Sequence, residues 1–292
     1  MDFLNGTGVA LVSPFDDKEE LDYAALERVI NHTIEGGVEY LVALGTTAET
    51  ATLFEDEIQP LIAFIKKIVN ARVPIVLGMG GNDTWDLKEV IKRTNFEGIA
   101  ALLSVSPYYN RPQQDGIYQH YKQISEASPL PIILYNVPSR TGSNISATTT
   151  LRLAADCPNI IAIKEASGNL LQCMEIIQNK PSDFKLISGD DAMTLPLMAC
   201  GASGAISVVA NVAPHAFSTM VHQAIKGNFD TAKGLHYQLL PLIEALFNEA
   251  SPSGIKAALH LKNMCNNILR LPLVPISDTL YKHIDQCLKE VK

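Results

Sequence analysis

Eight short runs of apolar, largely β-branched residues punctuate the chain, at 8–15, 40–46, 74–79, 99–106, 131–137, 160–165, 184–189 and 203–209. Most read as continuously apolar rather than alternating, the pattern of strands covered on both faces. Between them, apolar positions recur at three and four residues. Ile58, Leu61, Ile62, Ile65, Ile68 and Val69 make one such stripe, with Lys66 and Lys67 opposite, and that spacing predicts an amphipathic helix. Strand alternating with helix implies a parallel sheet. Eight units are the count of a (β/α)8 TIM barrel, an α/β fold. A doubly wound open sheet, which six strands would satisfy, is the alternative.

From about residue 213 no convincing strand follows. Helical patterns occupy 228–247, interrupted by Pro241, then 254–269 and 277–290, with Leu271-Pro272-Leu273-Val274-Pro275 breaking the last two. Only the first helix is needed to close the barrel. The chain therefore divides into a barrel domain, 1–226, and a C-terminal α-helical extension, 227–292. With no low-complexity linker between them, the extension is expected to pack on the barrel.

With 292 residues and 47% hydrophobic content the chain can bury a large core. A net charge of −8 argues against nucleic acid and anionic membrane as partners. Cys157, Cys173, Cys200, Cys265 and Cys287 are scattered and never form CxxC, the pattern of reduced thiols used as small core residues. The N-terminus lacks a basic segment followed by a long apolar one, and no stretch is long enough to span a bilayer. A cytoplasmic protein is expected.

In such a barrel the active site forms at the C-terminal ends of the strands. The most informative end is that of Asn159-Ile160-Ile161-Ala162-Ile163-Lys164-Glu165-Ala166-Ser167-Gly168. A lysine closing a buried strand is hard to explain by packing, because buried ammonium groups are costly. Desolvation lowers a lysine's pKa, and the neutral amine is the form that attacks carbonyls. The plain alternative is a lysine that snorkels to solvent or pairs with Glu165. Other strand ends add Gly45-Thr46-Thr47, an ordinary turn or a carboxylate cradle of hydroxyls and free N–H groups. Tyr135 is either core or a proton shuttle beside the lysine. Arg140 is either a surface residue or a planar fork for a substrate carboxylate. Asp190 after Gly189 reads equally well as the N-cap of a helix over 192–200.

Gly78-x-Gly80-Gly81 has the wrong spacing for a dinucleotide loop. The seven histidines fall in helical segments, and no HExxH, metal-ligand cluster or Gly-x-Ser-x-Gly elbow occurs. Metal-free amine chemistry without a cofactor is the reading left.

Five motifs, Gly45-Thr46-Thr47-Ala48-Glu49, Pro107-Tyr108-Tyr109-Asn110, Tyr135-Asn136-Val137-Pro138-Ser139-Arg140-Thr141-Gly142, Lys164-Glu165-Ala166-Ser167-Gly168 and Ser188-Gly189-Asp190-Asp191, carry a resemblance. They resemble the pyruvate-dependent class I aldolase family of the N-acetylneuraminate lyase and dihydrodipicolinate synthase type, through the barrel and into the tail. The arginine in the strand-5 loop points to the synthase branch. A sugar-acid aldolase and a non-catalytic pyruvate-binding barrel are the alternatives.

The resemblance implies that Lys164 forms an imine with pyruvate and that its enamine attacks L-aspartate 4-semialdehyde. It implies a proton relay of Tyr135, Thr46 and Tyr109, the last given by a neighbouring subunit of a homotetramer built as a dimer of dimers. Thr47 and the Ile206 carbonyl would hold pyruvate, with Gly189 and Asp190 nearby, and Arg140 the second carboxylate. It also implies an L-lysine effector pocket of Thr50, Ala51, Glu55, Asn82, Asp86 and Tyr108, weakened because Glu55 and Ile58 stand where sensitive members often have histidines. Ala48 replaces a common glycine, and Ser251-Pro252 a common Asn-Pro.

Overall fold

The eight apolar runs become eight parallel strands in the computed structural model, which describes residues 2–291. They are β1 (Thr7–Ala10), β2 (Tyr40–Ala43), β3 (Ile75–Gly78), β4 (Ala101–Val105), β5 (Ile132–Asn136), β6 (Ile160–Glu165), β7 (Lys185–Ser188) and β8 (Gly204–Ser207). Each pairs with the next, and β8 pairs back onto β1 to close the barrel. That closure excludes the open doubly wound sheet.

The helices are α1 (Tyr23–Glu35), α2 (Glu55–Val69), α3 (Thr84–Arg93), α4 (Gln114–Ala127), the short α5 (Pro138–Thr141), α6 (Ala147–Asp156), α7 (Leu170–Asn179), α8 (Thr194–Ala199) and α9 (Pro214–Ile225). α2 buries Leu61, Ile62, Ile65 and Val69 as its stripe requires. Its first turn carries Glu55, Asp56 and Glu57 and its last Lys66 and Lys67, charges that complement the helix dipole. In the tail, α10 (Phe229–Phe247), α11 (Ser253–Leu261) and α12 (Asp278–Glu290) follow. α10 packs on α8 and α9, and α12 on α10 and α11, so the extension does dock on the barrel.

Boundaries differ from expectation at three places. The first strand stops at Ala10 because the Asn211 side chain takes over its ladder, donating to the Ala10 carbonyl (2.8 Å) and accepting from Val12 N (3.3 Å). α10 runs unbroken through Pro241, which sits on its exposed side. α11 ends at Leu261 rather than 269, since Asn263 adopts a left-handed φ of 56°, a conformation that stops helices.

Two apolar layers fill the fold. Tyr40, Val42, Val76, Leu103, Ile133, Ala162, Ile187 and Ile206 pack inside the barrel, and a larger layer joins strands to helices. β6 carries an irregularity that matters for the site. Ile132 pairs with Ile160 but Ile133 with Ala162, so Ile161 is an extra residue. Ile160 and Ile163 face the helices, whereas Ile161 and Ala162 both pack toward the lumen.

The helical layer also buries a titratable group. His120 of α4 is 4% exposed, with Nδ1 2.8 Å from Thr84 Oγ1 and no partner for Nε2. Burial pushes its imidazole down to about 4. The unfolded chain, with a histidine near 6.5, therefore binds the extra proton between those values. The stability the neutral ring contributes is present above pH 6.5 and is lost as pH falls toward 4. The loss at pH 5 is about 2 kcal/mol. The Tm advantage of wild type over His120→Gln should shrink steadily from pH 7 to 4.5. A pH-independent difference would refute the assignment.

Candidate active site

The extra residue in β6 turns Lys164 into the lumen. It is 5% exposed and stands opposite Tyr135 of β5, with Nζ 4.4 Å from the tyrosine ring centroid. Glu165, its neighbour in sequence, points through the opposite face of the sheet. There it accepts from Asn136 Nδ2 (2.5 Å), Ser167 Oγ (2.9 Å) and Gln172 Nε2 (3.1 Å). Burial raises the Glu165 carboxyl, and those donors oppose the rise. Neither plain explanation of the lysine survives: it does not reach solvent, and the carboxylate beside it serves other partners.

Space for the lysine is kept by Gly189. A Cβ there would lie 2.9 Å from Lys164 Cε and 2.8 Å from Ala166 Cβ, closer than packed carbons tolerate. Asp190 follows, its Oδ1 accepting from Ala192 N (3.0 Å) and Met193 N (3.3 Å). This is the capping geometry expected, although the helix proper begins only at Thr194. Asp191 is buried and accepts from Val208 N (3.0 Å) and Val209 N (2.8 Å), joining the ends of β7 and β8. Burial pushes its carboxyl up to about 6.

After β2 the chain makes a tight turn over Thr46–Ala48, flanked by Leu44 and Glu49 at left-handed φ of 55° and 53°. Ala48 lies inside the turn without positive φ, so the absent glycine is not needed there. Gly78 of β3 is needed, because a Cβ would collide with the Leu44 carbonyl.

After β5, Asn136 fixes the arginine loop, donating to Asn144 Oδ1 (2.8 Å) and accepting from Ile145 N (2.9 Å). Arg140 is exposed at the rim, where Nη2 donates to the Ser251 carbonyl (3.3 Å).

Thr46, Thr47, Tyr135, Arg140, Lys164, Gly189 and Asp190 line one cavity of about 370 Å³. Ile206 contributes its side chain to the barrel interior, and Val208, just past β8, lines the cavity instead. Tyr109 lines neither this cavity nor the next. It is 89% exposed at a left-handed φ of 70°. A second cavity, about 760 Å³, is lined by Thr50, Ala51, Asn82, Asp86 and Tyr108 together with Ile58 and Gln59. Glu55 sits exposed on the first turn of α2 and is not part of that lining. Thr46 and Arg140 line both cavities.

Sequence reasoning missed the wall given by α10, where Ile243, Glu244 and Phe247 reach the first cavity. The available signal was Glu244 interrupting Leu242, Ile243, Ala245 and Leu246. It also missed a buried partner for Glu49, the lysine at 256. All seven histidines lie in helices. Among the described residues no group of three or more His, Cys, Asp or Glu is placed to hold a metal, and no helix is long and apolar enough to cross a membrane.

Comparison with known proteins gives the family. The model of the Dihydrodipicolinate synthetase family matches residues 4–291. The 4-hydroxy-tetrahydrodipicolinate synthase of Parabacteroides distasonis is 50% identical over 288 residues, 99% of this chain and 97% of that protein. A monomeric dihydrodipicolinate synthase variant of known structure superposes with a TM-score of 0.96 at 40% identity, covering 99% of this chain and 97% of the other. The lysine-bound enzyme of Cyanidioschyzon merolae does so at 0.95 and 38%, covering 99% and 98%. With its lysine, tyrosine and arginine gathered at the strand ends, this chain belongs to the dihydrodipicolinate synthetase family.

Proposed function

We propose that this protein condenses pyruvate with L-aspartate 4-semialdehyde to give 4-hydroxy-tetrahydrodipicolinate, as a cytoplasmic enzyme of lysine and diaminopimelate biosynthesis. The observation that carries the reading is a buried lysine against a tyrosine ring, in a cavity whose rim holds an arginine. Lys164 Nζ attacks the pyruvate keto carbon and water leaves, giving an imine. Loss of a methyl proton makes the enamine, whose carbon attacks the semialdehyde. The product's own amine then displaces the lysine and closes the ring. Tyr135, with Thr46 across the cavity, carries the protons. Thr47 and the turn's N–H groups suit the pyruvate carboxylate, and Arg140 suits the second.

The direct test is pyruvate consumption with aspartate semialdehyde, set against cleavage of sialic acid. Condensation alone is expected, and sialic acid cleavage alone would move the protein to the sugar-acid branch. Run with added L-lysine, the same assay tests the second cavity as an effector pocket. Asp86 would take an ammonium and Asn82 a carboxylate, and Ile58 offers no hydrogen bond, so inhibition should be partial. No effect at a thousandfold excess would exclude the pocket.

Tyr109 supports a shared site in a homotetramer. An 89% exposed tyrosine held at positive φ has no task within one subunit. Tyr109→Phe and Lys164→Ala subunits, each impaired alone, should regain activity when mixed. Full activity in a species that sediments as a monomer would refute the sharing.

A further inference from the structure

The turn that presents Thr46 and Thr47 is fastened from the tail of the chain. Glu49 closes that turn in a left-handed conformation and is 3% exposed. Its Oε1 forms an ion pair with Lys256 Nζ of α11, with both side chains fully buried. Its Oε2 accepts from Arg270 N at 3.1 Å. Lys256 Nζ also donates to the Ile268 carbonyl at 2.8 Å and lies 4.0 Å from the Phe15 ring centroid. The Arg270 guanidinium grips the same loop from its far end. It donates to both Glu57 oxygens at 2.6 Å and to the Thr52 carbonyl at 3.0 Å. Burial lowers the Lys256 amine, and Glu49 opposes that fall.

A buried ion pair is a poor device for stability alone, since desolvation consumes most of its attraction and apolar replacement is often neutral or better. Its strength is that it is intolerant of displacement, and here it sits three residues from Thr46. Neither Lys256 nor Arg270 lines either cavity, so neither is placed to touch substrate.

We infer that Glu49 and Lys256 are positioning residues for the pyruvate cradle, the ion pair setting where Thr46 and Thr47 stand relative to Lys164. This inference rests on pyruvate being the first substrate. Arg140 hangs from a different loop, so the two substrates should respond differently.

Lys256→Met, Glu49→Gln and the double variant test it, each corrected for the folded fraction. Pyruvate affinity is read as the concentration dependence of borohydride trapping, without the second substrate. Leaving one buried charge unpaired should raise the half-saturating pyruvate concentration about tenfold in either single variant, with the semialdehyde KM changed less than about twofold. The double variant, neutral and of similar volume, should recover most of the pyruvate affinity. A merely structural pair would lower Tm and trapped yield while leaving half-saturation unchanged, and that result overturns the inference. Equal shifts for both substrates overturn it too, because they place the defect in the docking of α11, through the Arg140–Ser251 contact. If wild type itself traps no pyruvate, the functional reading has failed instead.

Discussion

Lys164→Arg should abolish condensation, a loss of at least about 10⁴-fold, because a guanidinium stays protonated and cannot form the imine. Trapping is the decisive measurement. Borohydride added with pyruvate should inactivate the wild-type enzyme and place one reduced pyruvyl group on the peptide carrying Lys164. Lys164→Arg and Lys164→Ala should show no adduct while keeping a cooperative melt. A label on another lysine would sink the mechanism. Lys256 is the control within the same molecule, since it is equally buried but lines neither cavity. Burial alone does not make a lysine a nucleophile; burial against an open, substrate-sized space does.

Arg140→Ala should separate the two substrates. A bidentate, charge-assisted contact to a carboxylate contributes roughly 3 kcal/mol, so kcat/KM for the semialdehyde should fall about 10²-fold or more. Half-saturation by pyruvate should stay within about twofold, because its carboxylate is assigned to the opposite wall. Arg140→Lys should recover only part of the loss, keeping charge without the fork. Equal effects on both substrates would show that the arginine serves the site as a whole.

Much of this architecture was written in periodicity. The α2 stripe and the eight apolar runs led to the barrel, and the barrel's rule about strand ends led to Lys164, Tyr135, Arg140 and the Thr46-Thr47 pair. Those residues do converge on one cavity. What periodicity could not supply is long-range pairing. Nothing near Lys256 announces Glu49 as its partner. Ser13-Pro14 signals that the first strand stops, but nothing in Leu11-Val12 shows that Asn211 will take over its ladder already at Ala10. The α10 residues at the cavity mouth are set by how one helix leans on the barrel, and local sequence does not encode that angle. Which of Lys164 and Glu165 faces the lumen was not legible in the sequence, because a side chain's face depends on strand parity, which an undetected extra residue reverses.

The irregularity at Ile161 decides which of two opposite charges the barrel keeps. Side chains along a strand behave like odd and even numbers, and this one residue changes the count between Ile160 and Lys164. If β6 alternated regularly from Ile160 with every residue kept, the amine would face the helices and the Glu165 carboxylate the lumen, an inverted polarity at unchanged composition. Deleting Ile161 removes the extra residue and the irregularity together, so Ile160 still faces out and Ala162 and Lys164 still face in. Such a protein should still offer borohydride an amine to trap. The catalyst is specified by parity as much as by identity.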